Sequence, residues 1–230
     1  PNGYVTMIRQ DLEKRHADLK LEVIGAGISG NKVPDLKKRV DRDVIAKKPT
    51  IVVIYIGIND VWHSQNGRGT PKAEYEKGLE TLVEKIRAGG AKVVLCTPTV
   101  IGEKKAGTNK LDAMLDDYSQ VSRTVAAETK SQLLDLRKAF LAHLKQANMK
   151  NDEKNILTTD GVHLNAAGNK FVAEAKRALY GRVGIGTINP GARLHVFASS
   201  GPTNVGVFVG DRLLAQAQSF GKVVYTAGMI

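Results

Sequence analysis

The sequence has no apolar run long enough to cross a bilayer and no signal-peptide pattern. It carries one cysteine, Cys96, which excludes a disulfide within the chain and says little about compartment. Aromatic residues make up 5% of the chain, and none interleaves with its most basic stretch. In that stretch, residues 35–48, Lys37, Lys38, Arg39, Arg42, Lys47 and Lys48 mix with Asp35, Asp41 and Asp43. The net charge of +11 is therefore read as solvated helix faces, and no specific nucleic-acid partner is expected. Acids nearly vanish late in the chain, Asp211 being the only carboxylate side chain in 181–230. No signal fixes the location, and a secreted or periplasmic one is compatible with the sequence. The sequence starts at Pro1 and not Met, so an upstream segment is expected to be missing.

What is present is a chain of 230 residues, 42% hydrophobic and 25% charged, suited to one large domain or one domain plus an appendage. Helical periodicity over 4–18, 34–45, 71–88, 111–128, 137–147 and 165–179 alternates with short apolar runs. Those runs are Leu21–Ile24, Ile51–Ile56, Lys92–Cys96 and Gln132–Leu136. The β-branched run at 51–56 is typical of a strand buried on both faces of a parallel sheet. Alternation of this kind predicts an α/β fold with helices on both faces and a site at the carboxyl ends of the strands. After Gly181 the pattern changes to Gly, Val and Ala with strand-like runs at 193–197, 205–209 and 223–225. The domains are therefore read as 1–180 and a β-rich tail, 181–230.

The stretch Asp160-Gly161-Val162-His163 puts an acid and a histidine three residues apart in a turn before an amphipathic helix. A carboxylate so placed can hold the imidazole in one tautomer and stabilise its protonated form, as a base serving a nucleophile requires. By itself such a pair would more often be a solvated helix start. Two further motifs precede it, Gly27-Ile28-Ser29-Gly30-Asn31 and Gly57-Ile58-Asn59-Asp60.

Together, in chain order, these three motifs resemble blocks II, III and V of the SGNH (GDSL-type) hydrolases, over residues 1 to about 180. The resemblance implies a flavodoxin-like three-layer α/β/α sandwich, with hydrolysis of carboxylic esters and no cofactor or metal. It makes His163 the general base and Asp160 its orienting partner. Gly30 would offer a backbone N–H, and Asn59 a side-chain N–H, to the developing oxyanion. Such donors are worth about 3–4 kcal/mol each. Asp60 would fix the turn. Trp62 and His63 resemble residues that wall the acyl pocket in esterase branches; the competing reading packs Trp62 under the loop and leaves His63 exposed. The substrates implied are small acyl esters, including acetylated carbohydrate.

The sequence departs from that family in one respect. The first strand, ending in Gly-Asp-Ser with the nucleophilic serine, is missing, and Pro1-Asn2-Gly3-Tyr4 matches the segment just after it. No nucleophile is identified; Ser29 has a structural counterpart in the family and is a poor substitute. The tail run Val205–Asp211 looks like a strand that could refill the vacancy, with Arg212 in the serine's place. The preferred reading of the tail is a resemblance to β repeats of phage tail fibres and surface proteins, which would allow oligomerisation. The sequence thus reads as a serine esterase domain lacking its serine, the alternative being an inactive binding or structural protein on the same fold.

Overall fold

Five consecutive apolar residues, Ile51–Tyr55, form strand β3, and all five are buried. In the computed structural model, which describes residues 3–15, 17, 22–183 and 222–229, this strand lies near the middle of a parallel sheet. On one side β3 pairs with β4 (Lys92–Cys96), and β4 pairs with β5 (Gln132–Leu134). The helices between them are α4 (Lys72–Ala88) and α5 (Asp112–Glu128). Tyr75, Leu79, Leu82, Val83 and Ile86 form the buried face of α4, as the apolar spacing predicts.

Helix α2 (Val33–Asp43) packs on α4, and α4 on α5, along one face of the sheet. Helices α1 (Tyr4–Arg15), α7 (Ala166–Val183) and α6 (Leu136–Ala147) form a second series, α7 touching both others. This is the parallel sheet with flanking helices that the alternation predicts. The helix of the tail boundary runs past Gly181 to Val183. Strand β5 stops two residues before the predicted Leu136 because the Asp135 carboxylate caps α6, accepting the Lys138 N–H at 3.1 Å.

The other side of β3 is the unexpected part. Strand β1 (Glu22–Ile24) does not pair with β3. Between them stands β6 (Lys222–Met229), parallel to both, with Val223 opposite Val23 on one side and Ile51 on the other. The far end of β6 pairs with β2 (Ile28–Ser29), Ser29 lying opposite Met229. The sheet order is β1-β6-β3-β4-β5. The sequence lacks the family's first strand, and β6 stands inside the sheet, between β1 and β3. The refilling strand proposed at 205–211 lies outside the described residues, as does most of the segment likened to phage repeats. Among the described residues no helix is long and apolar enough to cross a membrane.

Candidate active site

The site starts where strands end. Past β3 the chain turns through Gly57, whose φ of +115° is open to glycine and costly for other residues. A Cβ there would also come within 2.7 Å of the Tyr75 hydroxyl. The turn launches helix α3 (Ile58–Trp62), which buries Asn59 and Asp60 almost completely. Asn59 Nδ2 donates to the Asn31 carbonyl at 3.2 Å, tying the second motif to the first. Asp60 Oδ1 accepts the Val33 N–H at 3.0 Å, at the start of α2. Burial pushes the Asp60 carboxyl up to about 6, against the opposing pull of Thr70 and the Val33 N–H. Asp60 therefore fixes the turn, in keeping with the role the resemblance implies.

The first motif is held from below by a residue that sequence reading put on a solvated face. Arg39 is 7% exposed. Its guanidinium donates to the Ala26 carbonyl, to Asn31 Oδ1 at 2.7 Å and to Asp43 at 3.2 Å. Arg39 follows Leu36 by three residues on α2 and so shares its inward face. Burial lowers its pKa, with Asp43 opposing. Above this clamp Ile28 and Ser29 are exposed, and Gly30 turns with φ +76°.

The third motif arrives on the loop before α7. His163 Nδ1 and Asp160 Oδ2 are 2.6 Å apart, and Asp160 Oδ1 accepts the backbone N–H groups of Val162 (3.0 Å) and His163 (2.8 Å). Partial burial pushes the Asp160 carboxyl up, but these bonds together outweigh it and hold the group below its ordinary value. Using Nδ1 for the carboxylate leaves Nε2 for a reacting group. The turn is closed by an antiparallel bridge between Thr158 and Leu164, and by Gly161 N–H donating to Thr158 Oγ1 at 3.0 Å.

Asn165, which sequence reading passed over, finishes the frame. Its Oδ1 accepts the Gly168 N–H at 2.9 Å, and its Nδ2 reaches the Ile156 and Thr158 carbonyls. Gly168 is needed because a Cβ would fall 1.9 Å from the Leu157 carbonyl oxygen. An Asn directly before a helix of small residues is the signal that could have found this cap.

Trp62 joins the second and third motifs. Its ring meets the His163 imidazole edge-on, centroids 6.0 Å apart at 86°, and lies 5.8 Å from His63. His63 is half-buried, and burial with the charges of Arg68 and Lys32 lowers its pKa. Trp62, His163 and Asp160 are thus linked by contact, Asn59 is tied to Asn31 beside Gly30, and Ser29 stands in β2 beside Met229. Cys96 is a packed thiol, raised to about 11 by burial. Among the described residues no group of three or more His, Cys, Asp or Glu side chains is placed to hold a metal ion.

Comparison with known proteins gives the family. Acetylxylan esterase of Geobacillus stearothermophilus is 35% identical over 181 residues, covering 75% of this chain and 78% of that protein. The crystal structure of an acetyl xylan esterase, AlAXEase, superposes with a TM-score of 0.75 at 42% identity, over 77% of this chain and 90% of that one. Esterase TesA of Pseudomonas aeruginosa is 29% identical over 135 residues, 57% of this chain and 59% of its own. Residues 1–171 match the GDSL-like Lipase/Acylhydrolase family, a match that lends no support to the phage-repeat reading of the tail. The chain belongs to the GDSL-like lipase/acylhydrolase family.

Proposed function

We propose that this domain hydrolyses acetyl esters of carbohydrates, with His163 as general base, Asp160 as its orienting partner, and the Gly30 N–H and Asn59 Nδ2 as oxyanion donors. The observation that carries the reading is the 2.6 Å bond between His163 Nδ1 and Asp160, in a chain 35% identical to an acetylxylan esterase. Solved structures of that relative include catalytic mutants in which a histidine or a serine is replaced by alanine. In the full reaction a serine hydroxyl gives its proton to His163 and attacks the acetyl carbon. The tetrahedral intermediate puts negative charge on one oxygen, which the two donors stabilise; it collapses by breaking the ester C–O bond, and His163 gives its proton to the departing sugar hydroxyl. Water, giving a proton to His163, then attacks the acyl-enzyme, and acetate leaves as the serine takes that proton back. Trp62 and His63 wall the acyl side of this site.

Residues 1–230 hold no Gly-Asp-Ser run, and β6 stands between β1 and β3 within the sheet. That occupancy favours a second reading, a site that retains acetylated oligosaccharide without turning it over. One experiment separates the two: the full chain is incubated with acetylated xylo-oligosaccharide and with nitrophenyl acetate, and binding and acetate release are both followed. Release that disappears in His163→Ala supports the hydrolase. Release that survives this change sinks the assignment of the base. Binding with no release supports the second reading.

A further inference from the structure

Glu103 is fully buried, and among the described residues its carboxylate makes no ion pair. Its two oxygens instead accept the backbone N–H groups of Ile156 (2.7 Å) and Leu157 (2.6 Å). The loop that contains those residues has no regular strand partner, so without Glu103 two donors would be left unpaired in the interior. The neighbours of Glu103 continue the seam. Gly102 N–H donates to the Gly161 carbonyl at 2.7 Å, Glu103 N–H to the Glu153 carbonyl at 2.9 Å, and Asn148 Nδ2 to the Glu103 carbonyl at 2.7 Å.

From Leu157 the path to the imidazole is short. Leu157 and Ile156 offer their carbonyls to Asn165, the cap of α7. Thr158 bridges to Leu164 and receives the Gly161 N–H. Asp160 and His163 lie between these two fixed points. A carboxylate is suited to the task because it accepts from both donors at once through charge-assisted bonds, which an amide cannot do.

We propose that Glu103 is a positioning residue, which sets the geometry of the Asp160–His163 pair by clamping residues 156–157 from the loop after β4. This rests on reading that pair as catalytic, but its test does not depend on turnover. In Glu103→Gln the amide keeps one acceptor and turns its NH2 toward the second N–H. Hydrogen exchange followed by NMR on the full chain should speed up at least about fivefold at Ile156, Leu157, Val162 and His163. Exchange at Val53 and Val94, in β3 and β4, should stay within about twofold. Glu103→Asp, which keeps the charge but shortens the reach, should give the same local pattern and serves where the glutamine variant does not fold. Faster exchange confined to Ile156 and Leu157 overturns the proposal, because the clamp then does not reach the pair. Equal acceleration at Val53 and Val94 also overturns it, because Glu103 would then support only global stability. Absence of esterase activity leaves these rates unaffected, so the two readings fail separately.

Discussion

Asp160 holds His163 at two points: Oδ2 meets the ring at Nδ1, 2.6 Å away, while Oδ1 accepts the backbone N–H of the same residue at 2.8 Å. The side chain that orients the imidazole therefore also fixes the turn that carries it. Its pKa is below the ordinary 3.8, so the charged form is bound more tightly in the folded state. The resulting stability is present above about pH 4 and is lost as pH falls through the folded value. Both partners are well exposed, so the effect is small. Thermal unfolding of wild type and Asp160→Asn between pH 2 and 6 should show the two curves converging at the acid end.

Asp60 titrates in the opposite sense. Burial raises its carboxyl from 3.8 to about 6, so the folded state binds the proton more tightly than the unfolded chain. Its contribution is most favourable below about pH 4 and declines as pH rises toward 6, by at most roughly 3 kcal/mol. Asp60→Asn keeps an acceptor for the Val33 N–H and removes the titration. Denaturant unfolding at pH 4 and pH 7 should show a smaller loss on raising the pH in the variant than in wild type.

A chain preceded by a strand ending in Gly-Asp-Ser should release acetate at least about a thousandfold faster than the chain as it stands, because the base then has a hydroxyl to activate. His163→Ala in that extended chain should abolish the gain. Initial rates on nitrophenyl acetate provide the check.

In the same extended chain Asn59→Ala should lower kcat by about 100- to 1000-fold with little change in KM, as expected for a donor that acts on developing charge. Steady-state kinetics on an acetylated oligosaccharide separate this from a loss of substrate binding, which would raise KM instead.

Strand β6 makes a sharp structural prediction. It pairs on both sides, so Val224→Pro removes a ladder N–H from the centre of the sheet and should cost about 3 kcal/mol or more. Circular dichroism and thermal melting should show loss of cooperative unfolding or a large fall in Tm. A variant as stable as wild type would mean that β6 does not hold this position.

The sequence alone was enough to predict the layered architecture and to single out the Asp160–His163 pair. Runs such as Ile51–Tyr55 and the spaced apolar face of α4 encode their own burial through local periodicity. Asp160 and His163 are three residues apart, so one turn suffices to join them. Other features depend on residues distant in the chain, which no local pattern reveals. Tertiary structure put Trp62 against His163, turned Arg39 inward to Ala26, and set Glu103 against Ile156 and Leu157. It also placed residues 222–229 between β1 and β3, and so set the backbone at Met229 beside Ser29. A short Val-rich strand fits many sheet positions equally well; its place is decided only by which backbone edges remain unpaired once the rest of the fold has formed.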